Sequence, residues 1–315
     1  MARPPKSPHI PARNGVTASC VALPHAKGAP WPLLLDFLAE RLHGVDRAAW
    51  AERLARGEVL DDNGQTLPPD AAFLPGTRIH YYRHLNEEPV IPFEETVLFQ
   101  DEHLLVADKP HFLPVTPGGR YVQQSLLVRL KRRTGIETLS PIHRIDRETA
   151  GLVLFSVHPH DRNAYQALFR DRAVHKTYEA IAPRRPALCF PLTMRSRIEE
   201  DSQRFFRMVE ADGEPNSETR VECTEVRGAW ARYTLSPVTG KRHQLRVHMN
   251  ALNAPIVGDQ FYPQVLRGPD EPEDFTDPLR LLARGIGFTD PETGQKRSFR
   301  SRLELDWPSN HQDLT

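Results

Sequence analysis

The chain is expected to be an α+β protein: a mixed, largely antiparallel sheet with a few helices, preceded by a small α/β-hairpin module. Three observations predict this. Short, β-prone runs recur from residue 96 to residue 236. Helical patterns fall between them without the regular alternation of a doubly wound sheet. The first eighty residues read as two short helices followed by a hairpin. A length of 315 residues, at about 100–200 residues per domain, leaves room for two domains.

Residues 1–29, with Pro4, Pro5, Pro8 and Pro11 and few large apolar groups, predict a disordered arm. The module spans 30–85. Leu34, Phe37, Leu38 and Leu42 recur at helical spacing up to Gly44. A second short helix is expected after Asp46, stopping at Gly57. Val59-Leu60 and Thr66-Leu67 flank Asp62-Asn63-Gly64, a hairpin signal. A strand is expected over 77–83, and residues 86–92 read as a linker.

The larger domain is expected over 93–315. Strands are predicted at 96–99, 104–107, 151–157, 177–182, 219–227 and 231–236. Ser125 starts a basic helix that ends at Gly135. Further helices are expected at 161–170 and 240–252.

Composition narrows the function classes. Three widely spaced cysteines without a Cys-x-x-Cys pair argue against a disulfide framework and point to a reducing cytoplasm. No apolar stretch approaches the roughly 18 residues of a membrane span, and the proline-rich start does not read as a secretory signal. The 41 basic and 41 acidic residues cancel, but their distribution is uneven. Between 120 and 185, thirteen Lys/Arg face six acids, a surplus of seven. Such a face suits a polyanion, although a run like Lys131-Arg132-Arg133 can equally be solvated surface.

Three short runs carry chemistry. His143-Arg144-Ile145-Asp146-Arg147-Glu148-Thr149-Ala150-Gly151 puts one carboxylate between two arginines, ahead of an apolar strand. Neighbouring guanidinium groups would hold Asp146 ionised, as a nucleophile or base requires; a structural ion pair fits the same pattern. In Lys176-Thr177-Tyr178-Glu179-Ala180, strand alternation points Lys176 and Tyr178 to one face. Tyr178 could stack on a base or carry a proton, or be a core residue. Thr239-Gly240-Lys241-Arg242-His243-Gln244-Leu245-Arg246-Val247-His248 reads as a turn into a helix whose amides favour anions.

Together these runs, with Leu104-Leu105-Val106-Ala107-Asp108-Lys109-Pro110 and Pro255-Ile256-Val257-Gly258-Asp259, resemble the RluA-type pseudouridine synthase family over about residues 97–307. Residues 31–84 are similar to the small alpha-L RNA-binding module of many members. The sequence departs from the pattern at Ala150, where Ser is usual, at Lys241, where Arg is usual, and at Leu282, where His is common. An acidic segment, 269–278, reads as an insertion.

The resemblance implies isomerisation of uridine to pseudouridine in structured RNA, ribosomal or transfer, without a cofactor. It gives Asp146 as the catalytic carboxylate, Tyr178 as the residue on the uracil that helps remove its carbon-5 proton, and Lys241 as the cation paired with Asp146. Arg144 fills the space of the flipped base. Arg147, Lys176 and Arg246 are candidate phosphate or ion-pair partners, and His143 and Arg242 are further candidate RNA contacts. Among the fourteen His, His143, His243 and His248 sit inside these motifs, so no metal is expected. A monomer is expected. The alternative is an inactive RNA- or ribosome-binding protein on the same fold. In a helix over 240–252, position 241 shares its face with Leu245 and position 242 with Arg246. Lys241 is therefore expected to face inward to Asp146, and Arg242 and Arg246 to face the RNA.

Overall fold

The computed structural model describes residues 10–25, 28, 30–83, 88–268, 271 and 274–308. These divide into two compact units: residues 1–89 with 117–123 and 128–137, and residues 90–116 with 124–127 and 138–315.

The first unit contains β1 (Ser19–Ala22), α1 (Leu34–Arg41), α2 (Arg47–Ala55), β2 (Val59–Asp61) and β3 (Arg78–Tyr81). Its antiparallel sheet runs β1-β3-β2. Asp46 starts α2 by accepting the Ala49 N–H at 2.7 Å, the capping expected of that residue type. Trp31, Phe37, Leu38, Trp50 and Ile79 fill the core between helices and sheet.

The expected disordered arm is corrected in part. Residues 1–9 lie outside the described residues, but Ser19–Ala22 pair with β3, and Val16 and Leu23 are buried. A four-residue strand obtains its order from its neighbour, so proline content misjudged it. Of the expected linker, 86 and 87 also lie outside the described residues. Glu88 is anchored: its carboxylate accepts the N–H groups of Val122 and Gln123 at 2.7 and 2.9 Å.

The second unit is a large sheet. Its strands are β4 (Thr96–Gln100), β5 (Leu104–Lys109), β6 (Ser140–Pro141), β7 (Ala150–Ser156), β8 (His175–Pro183), β9 (Leu192–Glu200), β10 (Met208–Ala211), β11 (Ser217–Arg227), β12 (Trp230–Pro237), β13 (Leu281–Thr289) and β14 (Lys296–Arg300). The order is β10-β9-β11-β12-β8-β13-β7-β5-β4, with β14 on β13 and β6 on β7. Among the described pairings only β13 with β7 is parallel. Helices α4 (Arg162–Arg170) and α5 (Gln244–Ala251) belong to this unit, while α3 (Leu126–Thr134) has residues 128–134 in the first. β5 and β7 are buried along their whole length, which is why β7 and residues 104–107 of β5 read as apolar runs.

Two glycines set the path around the site. Gly151 has φ +110°, and a Cβ there would collide with the Ala283 backbone, so the parallel β7–β13 contact requires its absence. Gly258 has φ +77° and lies against the Pro278 carbonyl. It brings residue 259 beneath α5.

The helix expected over 240–252 begins later. α5 starts at Gln244, and His243 before it takes a left-handed conformation, φ +53°. Thus 241–243 are a turn, and helical phase counted from Gly240 does not apply to Lys241.

Candidate active site

The site is an open cleft in the second unit. All three chemical runs line it: Arg144 and Asp146 from the turn before β7, Lys176 and Tyr178 from β8, and residues 239–241 and 243–246 around the start of α5. The Thr149 N–H donates to the Asp146 carbonyl at 3.2 Å, closing the turn that presents the carboxylate. The Asp146 side chain is 24% exposed.

The cation on Asp146 is Arg246. Its Nη1 lies 3.5 Å from Asp146 Oδ2 and 3.7 Å from Glu148 Oε2. Its Nε and Nη2 donate to Asp259 at 2.8 and 2.6 Å, a bidentate grip. The guanidinium is 1% exposed and sits over the rings of Phe261 and Tyr262. Arg246 is therefore part of the cleft floor, as an ion-pair partner; its expected place beside Arg242 on the RNA-facing side of the helix is corrected.

Lys241 is corrected too. It is exposed, and among the described residues it forms no ion pair with Asp146; its backbone N–H donates to Gln244 Oε1 at 3.0 Å. Gln244 fixes the turn further, accepting from Thr239 Oγ1 and donating to the Glu218 carbonyl and Thr219 Oγ1. The left-handed residue at 243 turns Lys241 to the rim and lets the first helical turn aim Arg246 inward. Arg242 is exposed as expected, but it is engaged with Glu200 at 3.2 Å and with the Arg207 carbonyl at 3.3 Å.

The remaining predicted residues separate by burial. Arg144 is exposed on the cleft wall. Arg147 is half-buried and its Nε donates to Glu148 at 2.9 Å. Lys176 donates to the Thr239 carbonyl at 3.1 Å, and burial lowers its pKa. His143 is engaged within the fold: it stacks on Phe169, its Nε2 accepts the Leu154 N–H at 3.2 Å, and burial pushes its pKa down to about 3. Tyr178 is pushed up by burial, and then by the Asp146 charge. It offers the cleft a ring and a protonated hydroxyl.

Three further charged groups escaped the residue-by-residue reading. Burial would raise the Glu148 carboxyl, but the Arg246 and Arg147 charges outweigh it and hold it at about 2. Lys109, fully buried, donates to the carbonyls of Pro110 and Arg147 at 2.9 and 3.0 Å. Burial pulls its ammonium down to about 7, against the nearby Glu148 and Asp146 charges. Asp259 and Lys109 both lie in blocks that carried the family resemblance, so the signal was present without a role attached to it.

Comparison with known proteins gives the family. Residues 103–251 match the family model described as RNA pseudouridylate synthase. A protein of Synechocystis described as an uncharacterised RNA pseudouridine synthase is 31% identical over 232 residues, 73% of this chain and 79% of that protein. The dual-specificity RNA pseudouridine synthase RluA of Vibrio vulnificus is 31% identical over 220 residues, 67% of this chain and 83% of that protein. The solved structure of human RNA pseudouridylate synthase domain containing 4 aligns at a TM-score of 0.52 and 26% identity, covering 66% of this chain and 88% of that one. The fold and these relatives define an RNA-modifying isomerase. The chain belongs to the RluA-type RNA pseudouridine synthase family.

Proposed function

We propose that Asp146 is the carboxylate with which this RNA pseudouridine synthase isomerises a uridine in structured ribosomal or transfer RNA, and that no cofactor takes part. One observation carries this reading. The carboxylate opens into the cleft while a buried guanidinium, itself gripped by Asp259, fixes it from below. A carboxylate fixed by a cation that cannot move away needs little reorganisation as charge changes during reaction.

In the isomerisation the bond from the sugar to uracil N1 breaks, the uracil turns, and a bond from the same sugar carbon to C5 forms as the C5 proton leaves. Tyr178 packs on the uracil from β8. Arg144, exposed at the cleft wall, suits the space left by the flipped base. Lys241 and Lys176 contact backbone phosphates, as Arg242 does once it releases Glu200. The first unit adds RNA affinity through the exposed Arg132 and Arg133 of α3; Lys131 of the same run is buried and donates to the Glu137 carbonyl at 2.6 Å.

The protein acts as a monomer in the cytoplasm, a setting that suits three free cysteines, two of them exposed. Among the described residues no helix is long and apolar enough to cross a membrane. The relatives named for dual specificity support a target read in more than one RNA. The test is pseudouridine mapping of total RNA from cells with and without the gene, repeated with Asp146→Asn in place. Sites lost in both strains are the targets. Sites that persist with Asp146→Asn contradict the assignment.

A further inference from the structure

A second group of reactive side chains lies at the opposite end of β7 from the cleft. Asp146 precedes the first residue of β7, Ala150, whereas this group follows the last, Ser156. Seven strand residues separate them by about 20 Å. Three connections of the second unit meet there. The β4–β5 turn brings His103, the β7–α4 connection brings His158, His160 and Asp161, and the β13–β14 turn brings Glu292.

Asp161 is the centre of the group and is 1% exposed. Its Oδ2 lies 2.9 Å from His103 Nδ1. Its Oδ1 lies 3.0 Å from His160 Nε2, yet accepts no hydrogen bond of acceptable geometry. The side chain does not cap α4 either, although Asp161 occupies the cap position. A buried carboxylate oxygen without a donor is uncommon and asks for a ligand. One donor atom each from His103, Asp161 and Glu292 lie within 4.8 Å of one another. Arg297 of β14 is engaged elsewhere, with Asp101 at 2.8 Å and Asp290 at 3.2 Å.

Two carboxylates and an imidazole around one point are a donor set for a borderline cation. Hard cations such as Mg²⁺ and Ca²⁺ take oxygen alone. We propose that His103, Asp161 and Glu292 form a binding site for a divalent transition-metal ion of the zinc type, with water completing the coordination. The ion ties three connections of the sheet together and is remote from the isomerisation. Sequence spacing gave no hint of it, because residues 103, 161 and 292 come from distant segments.

The test uses the full chain, stripped with a chelator and dialysed, then titrated with Zn²⁺, Co²⁺ or Mg²⁺ by calorimetry and thermal unfolding. One equivalent of Zn²⁺ is expected to bind at micromolar concentration and raise the Tm by several degrees. Co²⁺ should give visible absorption, and Mg²⁺ should do neither. His103→Gln and Glu292→Gln, at a partly exposed and an exposed position, should fold and lose at least tenfold in Zn²⁺ affinity. The proposal is overturned if Zn²⁺ does not bind, or if both variants bind it like the parent. The His103–Asp161 pair is then an ion pair and nothing more. An equal response to Mg²⁺ overturns the zinc-type assignment.

Discussion

The floor and the rim of the cleft come from one stretch of ten residues, 239–248, and they treat positive charge in opposite ways. On the floor, Arg246 is buried, bidentate on Asp259 and fixed beside Asp146. On the rim, Lys241 is exposed and Arg242 rests on an exposed glutamate. A buried guanidinium has one geometry and no competing water, so it can hold a reacting carboxylate in place. An exposed ammonium keeps its hydration and its rotamer freedom, so it adds affinity for a polyanion without fixing anything. The cation closest in sequence to the expected position is thus not the one that serves the carboxylate.

The largest effect expected is at Asp146. Asp146→Asn should reduce pseudouridine formation by at least about four orders of magnitude, as removal of an essential reacting group does elsewhere. RNA affinity should stay within about tenfold, because phosphate contacts dominate it. Filter binding and single-turnover assays on the same preparation check both halves. A retained rate would move the chemistry away from this carboxylate.

Next is the floor itself. Arg246→Met leaves Asp259 buried without its cation and Glu148 with Arg147 alone, a loss of about 3–5 kcal/mol for a broken buried pair. Thermal unfolding should show it as a large fall in Tm. An unchanged Tm would mean that the Arg246–Asp259 pair does not support the floor.

A smaller effect separates structure from chemistry. His143, His111 and His248 are held neutral by burial, at about 3, 4 and 4. In the unfolded chain a histidine titrates near 6.5. Below that pH the unfolded state takes up protons first. The stability these residues contribute is complete above about pH 6.5 and is lost as pH falls toward the folded values. Tm should therefore decline from pH 6.5 to 4. His143→Gln, which keeps an acceptor for the Leu154 N–H, should flatten the decline. An identical slope in that variant would show that His143 does not contribute.

Legibility in the sequence follows the same division. β7 and residues 104–107 of β5 were readable because both faces are buried and the runs are apolar. α2 was readable because Asp46 caps it. The motif residues were readable as a group, and all three runs meet at the cleft. β9, rich in charged residues, and the four-residue β10 were not expected, because their strand character comes from pairing with β11 and with each other. β1 was missed for the same reason. Arg246 was placed on the wrong face because helical phase was counted from Gly240. Residue identity alone does not announce a left-handed histidine at 243, and that one backbone angle exchanges the roles of 241 and 246.

The smallest effects belong to the rim, and comparing them with the floor tests the account most directly. Lys241→Met and Arg246→Lys should be measured side by side in single-turnover assays at saturating RNA and across a salt series. Lys241→Met is predicted to keep its rate within about threefold, weaken binding, and reduce the salt slope by about one. Arg246→Lys keeps the charge but loses the fork on Asp259, and should lose at least about tenfold in rate with binding little changed. If Lys241→Met instead loses the greater part of the rate at saturation while Arg246→Lys does not, the carboxylate is served from the rim and the central claim is contradicted.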